Sequence, residues 1–193
     1  MPLLRDYIAE HERALNLGGE AVRALDSDDC TRAGELLTAL AAELRSHWRG
    51  EEGGLFAVMS SDELFAAYIQ PLVREHRELD ALLQSVDMSN PNDRSAIRAA
   101  VSELYEHISK EEDGLFPASL TSLDGEQWDA AIAGWRQAHP GQDLLDRRPP
   151  AMPSEGNASR NHCGHGCLAK VVASTHTWTI AASAIRSAPR SIW

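Results

Sequence analysis

HWRGEEGGLF, residues 47–56, and HISKEEDGLF, residues 107–116, are nearly one string written twice, sixty residues apart. Each copy has a His, three residues, two Glu, one residue, then Gly-Leu-Phe. Upstream of each, apolar residues recur at helical spacing: Leu36, Leu40 and Leu44 before the first copy, Ala100 and Leu104 before the second. Such recurrence marks the buried face of a helix. Continued forward, the same face takes in His47, Glu51 and Leu55 in one copy and His107, Glu111 and Leu115 in the other. Ionisable groups stand where a core asks for apolar ones.

A second repeat lies outside the first. AEHERALNL around His11 matches REHRELDAL around His76, sixty-five residues on. His11 continues the stripe Leu4, Ile8, Leu15, and His76 the stripe Ile69, Leu72, Leu79, Leu83. The chain therefore reads as two similar helical hairpins. Folded about a pseudo-twofold axis, they bring four His and two Glu to one place.

Periodicity and breakers predict helices over about Leu3–Leu25, from Ser27–Asp29 to Met59, from Ser61-Asp62 to Val86, from Asn90-Pro91 to Pro117, and over Asp124–Ala138. Pro71, inside the third, marks a kink or a later start. The predicted fold is all-α: an antiparallel up-and-down four-helix bundle with a short fifth helix and a mostly irregular C-terminal tail.

Composition divides the chain at the same point. The net charge is −11 over 193 residues, yet residues 147–193 carry six Arg or Lys and only one acid, which leaves 12 basic and 28 acidic residues before them. We expect a domain at 1–145, a Pro- and Ser-rich linker at 146–160 and a flexible tail at 161–193. The acidic balance excludes a nucleic-acid partner. Leu168–Ile185 is interrupted by Lys170 and His176, so no membrane span is expected. No signal segment and no disulfide framework are evident, and a cytoplasmic protein is the expectation. The tail motif NHCGHGC supplies His162, Cys163, His165 and Cys167, which suit a zinc or copper ion or a disulfide. The tail is also a place for a protein partner to dock.

Taken singly, each His reads as an ordinary core residue and each Glu as a solvated one. Taken together on duplicated core stripes, they need a cation, because a buried carboxylate with no partner costs several kcal/mol. Imidazole nitrogen and carboxylate oxygen suit iron, manganese or zinc. Four His and two bridging Glu give about eight bonds, whereas two six-coordinate ions take about twelve. A single oxo or hydroxo bridge uses two positions. About two remain for water, dioxygen, hydrogen peroxide or nitric oxide.

This pattern resembles the hemerythrin-like, or HHE cation-binding, family, a four-helix bundle around a non-haem di-iron centre. The resemblance covers about residues 3–120. It implies two iron ions, with His11, His47, Glu51, His76, His107 and a following acid as ligands. Oxygen carriers of the family have two His four apart on the third helix. Here the positions flanking His76 hold Leu72 and Asp80, and Asp80 would be an unusual substitute ligand. Oxygen carriers also place the fourth-helix acid five residues after its His, which would select Glu112. The stripe here selects Glu111, with Glu112 about a hundred degrees away. Glu112, with Glu52 and Asp113, is expected to face solvent or to orient a His. Tyr7, one turn before His11, packs in the core, bonds within the pocket or ligates iron. Trp48 is expected outside the cluster, and the two Leu-Phe pairs are expected to close one end of the bundle. The loss of a His points away from reversible oxygen carriage and towards peroxidase- or oxidase-like chemistry in oxidative or nitrosative stress. The alternative is an iron or oxygen sensor whose site governs a partner.

Overall fold

The computed structural model describes residues 1–144, and within them every regular element is helical. The linker and tail, with the His162, Cys163, His165 and Cys167 motif, lie outside the described residues. The helices are α1 (Pro2–Asp26), α2 (Cys30–Gly53), α3 (Leu55–Met59), α4 (Glu63–Ser85) and α5 (Pro91–Lys110). A π-helical turn over Glu111–Leu115 follows, then α6 (Phe116–Ser122) and α7 (Gly125–Ala138). No described helix is long and apolar enough to cross a membrane.

Local chemistry sets these boundaries. Asp29 caps α2 by accepting from the Arg32 amide at 3.0 Å. Asp62 caps α4 through Leu64 at 2.8 Å. Asn90 caps α5 through the Asn92 amide, with Pro91 at the first helical position, where a missing amide hydrogen costs nothing. Asp124 and Gln127 form a reciprocal capping box at α7. Pro71 lies within α4, which runs through it.

Two expected helices are interrupted, at corresponding points of the duplicated string. The second ends at Gly53, and Gly54 separates it from α3 with φ −107° and ψ −104°. The fourth winds into the π-turn. Tyr68 of α4 donates to the Lys110 carbonyl at 2.8 Å, just where the winding changes. Side-chain periodicity is the same before and after each interruption, so it carries no sign of them.

α1 packs along α2 and α5, and α4 packs on α2 and α5. α7 lies on α2 and α3 at very short range. A Cβ on Gly134 would collide with the Gly53 carbonyl, and one on Gly54 would stand 2.8 Å from the Ala131 carbonyl oxygen. The Gly-Gly of the first string is thus the seat of α7.

Two apolar clusters form the core. One gathers Leu3, Tyr7, Leu55, Phe56, Leu72, Leu115, Phe116 and the α7 tryptophans Trp128 and Trp135. The other gathers Ala14, Leu36, Leu40, Leu44, Trp48, Ile97 and Leu104. His11 and His76 fall between the two clusters along α1 and α4, and His47 and His107 fall among the last residues of the second cluster along α2 and α5.

Candidate metal centre

His11, His47, His76 and His107 are all buried, and Glu51 and Glu111 are fully so, at 0 % exposure. Nε2 of His11 stands 3.0 Å from Nε2 of His47, and Nε2 of His76 stands 3.0 Å from Nε2 of His107. The two carboxylates lie between these pairs. Glu51 Oε1 is 3.2 Å from His47 Nε2, and Glu51 Oε2 is 3.7 Å from His76 Nε2. Glu111 Oε2 is 3.2 Å from His11 Nε2, and Glu111 Oε1 is 3.1 Å from His107 Nε2.

Proximity here is not hydrogen bonding. All four oxygens of Glu51 and Glu111 are sealed from solvent, and none accepts an aligned hydrogen bond among the described residues. Leaving buried carboxylates so would be strongly unfavourable without a cation. Around an ion with bonds of about 2.1 Å, neighbouring ligand atoms stand about 3 Å apart. The observed separations have that scale. His11, His47, Glu51 and Glu111 offer atoms within 4.8 Å of one another, as do His76, His107 and Glu111. The donor set suits a metal cation: Glu111 belongs to both groups, and Glu51 Oε2 stands 3.7 Å from His76 Nε2.

Each imidazole is held from behind. His11 Nδ1 donates to Glu112 at 2.7 Å, His47 Nδ1 to Glu10 at 2.8 Å, His76 Nδ1 to Glu52 at 3.0 Å and His107 Nδ1 to Glu75 at 2.7 Å. A carboxylate accepts, so the proton sits on Nδ1 and Nε2 faces inward. Every one of these bonds crosses from one helical path to another. Traced from α1, the carboxylates hold the His of α2, then α4, then α5, and the last returns to α1, which closes a ring.

Sequence periodicity places Glu112 and Glu52 within reach of a His, but not Glu10 and Glu75. A signal existed: both precede a His in the repeats AEHERALNL and REHRELDAL. Asp80 stands apart from the cluster, bound by Arg45 at 2.6 Å and by Gln84. Leu72 is sunk in the apolar cluster. Tyr7 is buried and donates to the Gly50 carbonyl at 2.9 Å, and its phenol is pushed well above its ordinary pKa by burial and by Glu51. It is a neutral donor whose hydroxyl is committed to the α2 backbone.

The rings are also packed face to face. Phe116 stacks on His11 with centres 5.8 Å apart, and Phe56 stacks on His76 at 5.9 Å. The Leu-Phe pairs therefore wall the cluster as well as filling the core. Trp48, expected outside, stacks on His76 at 4.9 Å. His47 and Trp48 are adjacent on α2, so one helix presents one imidazole of the cluster and covers another.

Electrostatics follow from this burial. Desolvation pulls His11 and His47 down, but the neighbouring Glu51 and Glu111, with Glu10 for His47, outweigh it and raise them to about 11 and about 9. Burial pushes Glu51 and Glu111 up, yet the imidazoles bring both below the ordinary carboxylate value, Glu111 well below.

The hemerythrin HHE cation binding domain model matches residues 3–119. The chain belongs to this family. No curated protein and no solved structure matches the chain significantly. The hemerythrin domain spans α1 to α6, and every member of the buried His and Glu cluster lies within it. α7 lies beyond it.

Proposed function

We propose that this chain is a non-haem di-iron protein that reacts with a small oxidising or diatomic ligand: dioxygen, hydrogen peroxide or nitric oxide. α1, the α2–α3 path, α4 and the α5–α6 path form an antiparallel up-and-down bundle over residues 1–145, and α7 is the short fifth helix. His11, His47, His76 and His107 hold the two ions, with Glu51 and Glu111 between them. The carrying observation is the set of four sealed carboxylate oxygens that lack a hydrogen bond among the described residues, ringed by inward imidazole nitrogens. Iron in such a nitrogen and oxygen set supplies redox change at an open coordination position.

The protein's own groups orient, shield and admit. The Nδ1-bound carboxylates fix each imidazole, and loss of such a partner commonly leaves about a tenth or less of the metal affinity. Phe56, Phe116 and Trp48 keep bulk water from the ligand atoms. A cavity of about 400 Å³ opens between α4 and α5 beside His76, His107, Trp48, Leu79 and Leu104, and gives a small ligand a route in. Three groups cluster on that side against four on the His11–His47 side, so an ion held there would have fewer protein ligands and more room for a small molecule.

Elemental analysis and an optical spectrum of protein purified in air test the reading. Two irons per chain with charge-transfer absorption are expected. One zinc and no iron would overturn it.

A further inference from the structure

His139 lies at the end of α7, beyond the matched domain, and the proposed chemistry assigns it no task. It is nevertheless buried at 3 % exposure. Its Nδ1 donates to the Trp135 carbonyl at 3.0 Å, and its ring stacks on the Trp135 indole with centres 4.3 Å apart. This fixes Nε2 towards α1, where Glu10 Oε1 stands 3.3 Å away. Like the oxygens of Glu51 and Glu111, Nε2 makes no aligned hydrogen bond among the described residues, and Glu10 Oε1 is the acceptor it faces. The second oxygen of Glu10 accepts from His47 Nδ1. Three residues from α7, α1 and α2 thus form one line that ends at a ligand of the centre.

Glu10 differs from the other three carboxylates of the ring. Glu52, Glu75 and Glu112 have side chains 22, 34 and 33 % exposed. Glu52 is paired with Arg77, and Glu75 with Lys110. Glu10 is 6 % exposed, and no Lys or Arg of the described residues forms an ion pair with it. A carboxylate that deep requires a second donor. His139 is the group that faces it. The fit extends to α2: a Cβ on Gly50 would lie 2.8 Å from His139 Cε1 and 3.0 Å from Trp135 Cδ1, so glycine there leaves the ring its place.

We propose that His139 is a positioning residue for the metal centre: it anchors Glu10, and through Glu10 it fixes His47 with Nε2 facing the other ligands. The fifth helix is then part of the site, not an appendage of the bundle. Its consequence for metal rests on the reading of His47 as a ligand, but the anchoring itself does not.

Two variants of the full chain separate donor from packing. His139→Phe keeps an aromatic ring against Trp135 and removes the donor, and His139→Gln restores a donor. In metal-free protein, the His47 Nδ1 proton should be visible by NMR and slow to exchange in the native chain and in His139→Gln. It should be lost to exchange in His139→Phe. Cobalt(II) titration should show one of two ions bound about tenfold more weakly in His139→Phe, with affinity regained in His139→Gln. An unchanged His47 proton and unchanged cobalt affinity in His139→Phe would overturn the proposal. So would equal losses in both variants, or failure of both to fold, since either outcome marks packing alone. If native protein binds no cobalt, the metal reading fails, while the His47 proton still decides the role of His139.

Discussion

Glu112 reaches 101 positions back along the chain to hold His11 Nδ1 at 2.7 Å, while its neighbour Glu111 turns both oxygens into the sealed cluster. Adjacent acids thus take different places, one facing the buried cluster and one facing the back of His11. Glu111→Ala should lose most bound metal and lower the melting temperature of the loaded protein, because bound metal stabilises the fold by mass action. Glu51→Ala should behave likewise. Glu112→Ala should weaken metal by about tenfold and leave most of it bound. Metal content and melting curves of the three variants decide, and a larger loss in Glu112→Ala than in Glu111→Ala would reverse the assignment.

Metal-free protein should be less stable in alkali. His11 and His47 have folded values of about 11 and about 9, above the ordinary 6.5. Their contribution is complete below about 6.5 and is lost as pH rises through about 9 and then about 11. Glu51 and Glu111 are depressed, so their contribution is complete above the ordinary carboxylate range and lost in acid. Thermal melts after chelation should peak between these limits, near pH 5–6.5, and decline on both sides. A melting temperature that climbs steadily from pH 7 to pH 10 would contradict this charge balance.

Metal uptake should release protons. At pH 7 His11 and His47 are protonated by the values above, and ligation requires their Nε2 lone pairs. Loading should free about two protons per chain, read from the buffer dependence of the binding heat. Affinity should rise with pH. Uptake without proton release would mean that the imidazoles are already neutral.

Gly134→Ala should separate α7 from α2 and α3. The new methyl has backbone on its far side, the Gly53 carbonyl, and backbone cannot swing away as a side chain would. A loss of about 1–3 kcal/mol is expected by urea titration. The same change should lower cobalt affinity if the seat of α7 sets the place of His139.

Reaction with oxygen should be one-way. With Leu72 in the apolar cluster and Asp80 bound to Arg45, neither flank of His76 supplies a further ligand. Protein reduced without air, exposed to oxygen and then swept with argon should stay oxidised. Return of the reduced spectrum over repeated cycles would identify a carrier instead.

The helices, their caps and the inward stripe from Leu36 to Leu55 were legible because burial of one face imposes a period on the chain. So was the cluster, since His47 and Glu51 interrupt that period with ionisable groups. The ring was not. A bond such as Glu10 to His47 depends on how two helices are rotated against each other, which no single-helix period encodes. The break at Gly54 and the π-turn at Glu111–Leu115 were hidden for a related reason: nearly equal strings meet different neighbours, α7 in one case and Tyr68 in the other. His139 belongs to no repeat, and only the close seat of α7 brings it to Glu10.

The closed ring of carboxylates has a consequence for how such a chain is divisible. Within the first hairpin, Glu10 serves His47, and within the second, Glu75 serves His107. The other two bonds are exchanged: Glu52 is given to His76, and Glu112 is given to His11. Neither hairpin can orient both of its own imidazoles, yet two identical hairpins facing each other would satisfy all four. The covalent link between the halves is therefore dispensable to the ring, and what it adds is freedom for the halves to diverge. The two halves already differ in what adjoins them: the glycine seat and His139 lie against the first, and the open cavity lies beside His76 and His107 of the second.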